Sequence, residues 1–147
     1  MVLNSKEVAE FKLRLGLPSG NKKQIIKFPE ELESFDTHLL RGLADTDFTV
    51  NFRDLDKDGK KEHPRICASF ANKNFVTEIS KILDKFGFNY HKRELFTHGK
   101  YNEYRIELEG KYNFNLWMEK IGFSNPKHIN KINNRFNNRS FEPKLDF

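Results

Sequence analysis

The spacing of apolar residues changes period several times along this chain, and each change marks an element. Over residues 5–15, Val8, Phe11 and Leu15 recur at helical spacing behind Ser5, a residue type that caps helices well. The following LPSGNKK carries Pro and Gly breakers and reads as a loop whose lysines, with Lys27 beyond, are expected on a solvated surface. Leu39, Leu40 and Leu43 then restore the helical period, predicting a second helix that buries these three and is capped by Ser34 or Asp36. Directly after Asp47 the period drops to two. Val50 and Phe52 alternate with Thr49, Asn51 and Arg53, which predicts a half-buried strand over about 48–54 with one polar face.

A polar stretch, DLDKDGKKEHP, leads to a second strand at 64–70, where Arg65, Cys67 and Ser69 alternate with Ile66, Ala68 and Phe70. A helix is expected over about 73–86, burying Phe75, Ile79, Ile82, Leu83 and Phe86, with Gly87 just past its end. Strands near 88–95 and 101–108 flank the turn Thr97-His98-Gly99-Lys100, and the second sets Tyr104, Ile106 and Leu108 against Glu103, Arg105 and Glu107. A last helix at 112–120 offers Phe114, Leu116, Trp117 and Ile121 to the core. From about 129 the chain is rich in Asn, Lys and Arg, and a partly ordered, solubilising tail is expected, with backbone contact to nucleic acid as its functional alternative. The element order predicts an α+β fold, one antiparallel sheet with helices packed on one face, and there is no internal repeat.

Composition narrows the class. The 147 residues fit a single domain over 1–147, with its core at about 5–132 and a C-terminal tail at about 133–147. Fifteen Phe residues supply core volume at few positions. The 26 Lys and Arg against 21 acidic residues permit nucleic-acid binding without requiring it. Cys67, the only cysteine, excludes an internal disulfide. No apolar run approaches membrane-spanning length, and the N-terminus lacks the basic-then-apolar form of a signal peptide. The expectation is a soluble intracellular protein, cytoplasmic or of an organellar matrix, with no membrane partner.

Candidate chemistry concentrates where the second helix ends. Gly42 and Thr46 lie four apart, so two small residues share a stripe where another backbone can approach closely. The helix then runs out in Asp45 and Asp47, and acidic groups there oppose the macrodipole at about 0.3–1 kcal/mol each. A divalent cation offsets that cost, because hard metals take carboxylate and carbonyl oxygens. Asp54, Asp56, Asp58 and Gly59 match the opening of an EF-hand loop, but Arg65 stands where that loop needs its glutamate, so a solvated turn is the better account. The polar strand faces carry Thr49, Asn51, Arg53, Arg65, Ser69, His91, Arg93, Glu103 and Arg105. Such a set mixes donors that read purine edges with charges that neutralise phosphates, and a β-ribbon fits the major groove.

The segment LRGLADTDF at residues 40–48 resembles the signature of the LAGLIDADG homing endonucleases, including those embedded in inteins. Residues 15–23, LGLPSGNKK, with Phe28-Pro29 beyond, resemble the lead-in to a second motif copy, and residues 121–128, IGFSNPKH, resemble the closing segment. The likeness spans roughly residues 5–132. It implies a saddle-shaped antiparallel sheet laid on the major groove of double-stranded DNA, with Asn51 and Arg53 as leading base contacts. It also implies a Mg2+-dependent, site-specific endonuclease of the kind that mobilises introns or inteins. Asp47, with Thr46, would hold the metal; Asp45 is the helix-end or packing residue. Lys73 is the candidate transition-state stabiliser, with Arg65 or Arg105 as substitutes. One motif supplies one aspartate where the family's site uses two. A homodimer packed through Leu39, Gly42, Leu43 and Thr46 is therefore implied, or else pairing with a separate first half. Two positions depart from the family. Phe48 replaces the usual glycine, setting a bulky group at the end of the metal-bearing helix, and the expected basic residue after the second strand falls near Ala71. These departures favour the alternative of a catalytically inactive DNA- or RNA-binding relative, maturase-like or regulatory. A third class is a protein-interaction module that uses the motif helix only to dimerise. Exchange of Phe48 for glycine is expected to leave the fold intact.

Overall fold

The order of periods along the chain becomes an order of layers in a computed structural model that describes residues 35–55, 57, 63–97, 99 and 101–136. Its elements are α1 (Asp36–Thr46), β1 (Thr49–Arg53), β2 (His63–Phe70), α2 (Lys73–Lys85), β3 (His91–Thr97), β4 (Tyr101–Glu109), α3 (Gly110–Lys120) and α4 (Pro126–Arg135). The expected helix at 5–15, the loop after it, Ser34, most of the EF-hand-like stretch and everything after residue 136 lie outside the described residues. The α+β expectation holds. All strand pairs are antiparallel, in the order β1-β2-β4-β3. No helix among the described residues is long and apolar enough to cross a membrane.

The period-two alternation assigns the two faces of the sheet. Val50, Ile66, Ala68, Ile106 and Leu108 are buried on the inner face, in one cluster with Leu40 and Ala44 of α1, Ile79 and Leu83 of α2, and Phe114 and Trp117 of α3. Asn72 caps α2, its Oδ1 accepting from the backbone N–H groups of Asn74 at 2.8 Å and Phe75 at 3.2 Å. Gly87 ends that helix at φ +78°, a left-handed conformation that costs glycine nothing, and the Phe88 N–H closes back on Leu83 O. Buried Asn113 joins α3 to the segment before β3: its Nδ2 donates to Asn89 O at 2.6 Å while its Oδ1 accepts from Asn89 N at 3.0 Å.

Several expectations need correction. α1 has no side-chain cap: Phe35 holds the capping position, and Asp36 is already helical, paired with Lys85 at 3.1 Å. An acidic residue in the first turn favours the helix through its dipole without capping it. The buried line of α1 is Leu40, Arg41 and Ala44, while Leu39 and Leu43 are half-buried, because Ala44 rather than a leucine follows Leu40 by one turn. In α2 the stripe is rotated slightly, burying Val76 and leaving Phe75 and Phe86 half-buried. The Asn- and Lys-rich stretch expected as a tail is helical through Arg135. Asn125 caps it by accepting from Lys127 N at 3.0 Å, and Pro126 supplies its first residue. Ile129 and Ile132 are buried, and the Phe136 ring lies 5.6 Å from that of Phe52 and 5.8 Å from that of Phe114.

Phe48 is the largest departure from expectation. Only 2% exposed, its ring lies 5.4 Å from that of Trp117 and 6.2 Å from that of Phe70. It fills the core instead of standing at the helix end, so exchange for glycine removes a buried ring. Phe48→Ala is expected to lower unfolding free energy by about 3–5 kcal/mol, as for other buried Phe truncations. Urea denaturation checks this, and a loss below about 1 kcal/mol would contradict the placement.

Candidate nucleic-acid interface

Apolar contact alone lets a helix slide or roll, and polar groups hold the end of α1 in place. Arg41, 6% exposed, donates through Nε to Ile121 O at 2.7 Å. Asp45 accepts from the backbone N–H groups of Ser124 and Asn125, both at 2.9 Å, and from the Ser124 hydroxyl. Asn125 Nδ2 returns a bond to Asp45 O at 2.9 Å. His128 is buried, 4.9 Å from the Phe123 ring and near Asp45 and the Ala44 backbone. Burial, the largest influence, lowers its pKa below the ordinary 6.5, against the opposing pull of Asp45. The segment linking α3 to α4 thus grips the last turns of α1, and Asp45 is the packing residue expected of it.

Asp47 differs. It ends α1 with its N–H donating to Leu43 O at 2.8 Å, and its carboxylate is exposed. Thr46 Oγ1 lies 2.7 Å from Asp47 Oδ2, 3.1 Å from Gly42 O and 3.3 Å from Leu43 O, and its single proton serves one of them at a time. Among the described residues no three His, Cys, Asp or Glu side chains converge into a metal site. At this helix end the described residues offer a hard metal one exposed carboxylate and a hydroxyl, which is part of a ligand set. Lys73, the exposed first residue of α2, sits at the same end of the sheet, because β2 runs antiparallel to β1 and ends beyond the Thr49–Cys67 pair. Ala71, in the turn before it, is exposed.

The register puts all nine polar strand residues named from the sequence on the outer face, turned from the core. Thr49, Asn51 and Arg53 of β1 stand opposite Cys67, Arg65 and His63 of β2. Arg65, Cys67 and Ser69 stand opposite Glu109, Glu107 and Arg105 of β4, and β3 adds His91 and Arg93 beside Glu107 and Arg105. The arginines are held in ion pairs: Arg53 with Glu109 at 2.7 Å, Arg93 and Arg65 with Glu107 at 3.1 and 3.4 Å, and Arg105 with Glu103 at 3.3 Å. Arg105 Nε also donates to Ser69 Oγ at 3.0 Å, and Asn51 Oδ1 accepts from Lys131 Nζ of α4 at 3.0 Å.

Further members of this face, His63 and Glu107 among them, stand outside the set that alternation marked for binding. His63 belongs to it by register. Glu107 is its organising centre, 2% exposed, with Arg105 3.9 Å away in addition to Arg65 and Arg93. A buried carboxylate is tolerated when cations and donors surround it, but those partners come from three strands, so no local signal marks it. On α1, Gly42 and Thr46 are exposed, and Leu39 and Leu43 are partly buried against the margin of the core; a Cβ at Gly42 would meet nothing within 4 Å.

No protein-family model matches this chain, and no curated protein matches it. The distinction between the two aspartates is measurable by chemical denaturation. Asp45→Ala, which strands three donors, is expected to cost about 2–3 kcal/mol, whereas Asp47→Ala should stay within about 0.5 kcal/mol. Equal destabilisation at the two positions would remove the assignment of separate roles.

Proposed function

We propose that this chain is one subunit of a LAGLIDADG-type homing endonuclease, hydrolysing phosphodiester bonds at a specific site in double-stranded DNA. The observation that carries the reading is the assembly of nine polar residues from four strands on one sheet face that begins two residues after the exposed carboxylate of Asp47. The helix–strand–strand order that occurs twice before α3, and the sheet order β1-β2-β4-β3, support it further.

In this reading the outer face lies in the major groove, where Asn51 and the arginines present donors to base edges. Two copies pair through the exposed side of α1, and each brings one Asp47 to the seam. Asp47 and Thr46 hold Mg2+, which when bound supplies an activated water and a Lewis acid for the leaving oxygen. Lys73 offers a positive charge at the same end of the sheet for the oxygens of the scissile phosphate. Phe48 supports the catalytic reading, since its ring is in the core and leaves Asp47 unobstructed. Exposed Ala71 favours a second reading, a DNA- or RNA-binding relative without chemistry, because it puts no charge where the family carries a basic residue.

Cleavage of a diverse duplex library with magnesium, with Asp47→Asn in parallel, separates the two. The wild type alone should cut, at a recoverable near-palindromic sequence. Binding by both proteins with cleavage by neither would establish the non-catalytic reading instead. Gly42→Leu, placed where the fold has room, should leave the thermal midpoint within a few degrees and halve the solution mass. An unchanged mass in analytical ultracentrifugation would exclude α1 as the pairing surface.

A further inference from the structure

The outer sheet face presents a pattern of donors but little uncompensated charge, because its four arginines are matched by Glu103, Glu107 and Glu109. Nucleic-acid affinity rests largely on cations that displace counterions from phosphates. Those cations stand beside the sheet. Lys127, Lys131 and Arg135 recur every four residues along α4, so they share one stripe, with about 6 Å between successive positions at 1.5 Å rise per residue. None of the three pairs with a carboxylate among the described residues.

Folding does not ask for this placement. Lys127 is the second residue of α4, where a cation opposes the helix dipole, and the first turn holds no acidic residue to offset it. The stripe reaches the sheet at one point: Lys131 Nζ donates to Asn51 Oδ1, a group of the outer face. Beside that hydrogen bond Asn51, Phe52, Lys131, Asn134 and Arg135 line an open groove of about 410 Å³.

We infer that α4 is a phosphate clamp: Lys127, Lys131 and Arg135 take the backbone of the duplex DNA strand that passes the β1 edge, while the sheet reads its bases. This assignment rests on the nucleic-acid reading of the outer face. It divides the work between a charge-balanced face that selects sequence and a basic helix that supplies affinity.

The test is fluorescence anisotropy with a labelled random-sequence 30-bp duplex between 50 and 300 mM salt, comparing wild type with the triple variant Lys127→Gln, Lys131→Gln, Arg135→Gln. All three side chains lie at the surface or its margin, and thermal melting checks that the variant folds. The expected result is a salt slope smaller by about 0.9 for each phosphate no longer neutralised, about 2–3 for each subunit bound and about twice that for a dimer, with affinity at 50 mM salt falling at least tenfold. Lys131→Arg should keep the wild-type slope, since it keeps the charge. Selection of bound sequences by wild type and triple variant should recover the same preference. If wild type binds and the triple variant matches it in slope and affinity, the clamp is wrong while the sheet reading stands. If wild type shows no salt-dependent DNA binding, both are wrong.

Discussion

The position of α1 depends on the polar grip at its C-terminal end. Leu40 and Ala44 bring the helix to the sheet, but hydrophobic contact is non-directional and specifies neither its roll nor its axial position. Arg41 on Ile121 O and Asp45 on the Ser124 and Asn125 amides specify both. With the helix end held there, Phe48 enters the core beside Trp117 and β1 starts at Thr49 in register with Cys67. Asp47 is left as an exposed group at the end of α1, two residues before β1 begins.

Two carboxylates at one helix end thus meet the same unfavourable dipole in different ways. Asp45 is stabilised by three donors from the segment between α3 and α4, so the fold itself offsets its cost. Asp47 has the Thr46 hydroxyl beside it and solvent beyond. A charge kept against the dipole without such internal compensation is where binding of a cation gains most, which is why the proposed chemistry centres on Asp47 and not on its neighbour.

The outer face shows the complementary economy. Glu107 sits at the point where Arg65, Arg93 and Arg105 converge, and the surrounding guanidiniums are held at defined angles instead of sweeping solvent. Preorganised donors favour selectivity over raw affinity. The cations of α4 then provide the charge that the face withholds, and Lys131 joins the two surfaces at Asn51.

Local spacing determined much of this molecule. The period of two around Val50, Ile66 and Ile106 and the helical stripe of Ile79, Ile82 and Leu83 were legible because backbone geometry imposes them on any chain that buries one face. They specified the element order, the two-faced sheet and the set of polar residues sharing its outer side. The motif around Gly42 and Asp47 marked the helix end and its candidate ligand, and the Ser124-Asn125 segment stood out without its purpose being visible. Only the tertiary structure decided the rest. Arg41 is tolerated in the interior because a carbonyl 80 residues away accepts a hydrogen bond from its Nε–H. α4 packs on the fold through His128, Ile129 and Ile132, with Phe136 at its end beside Phe52 and Phe114, although its own stretch offers only sparse isoleucines among polar residues. Phe48 faces the core, and Glu107 is central, through neighbours contributed by distant elements. Spacing along a chain encodes which face an element buries, whereas the partners of a buried charge or ring come from elsewhere in the chain, and their chemistry leaves no local period to read.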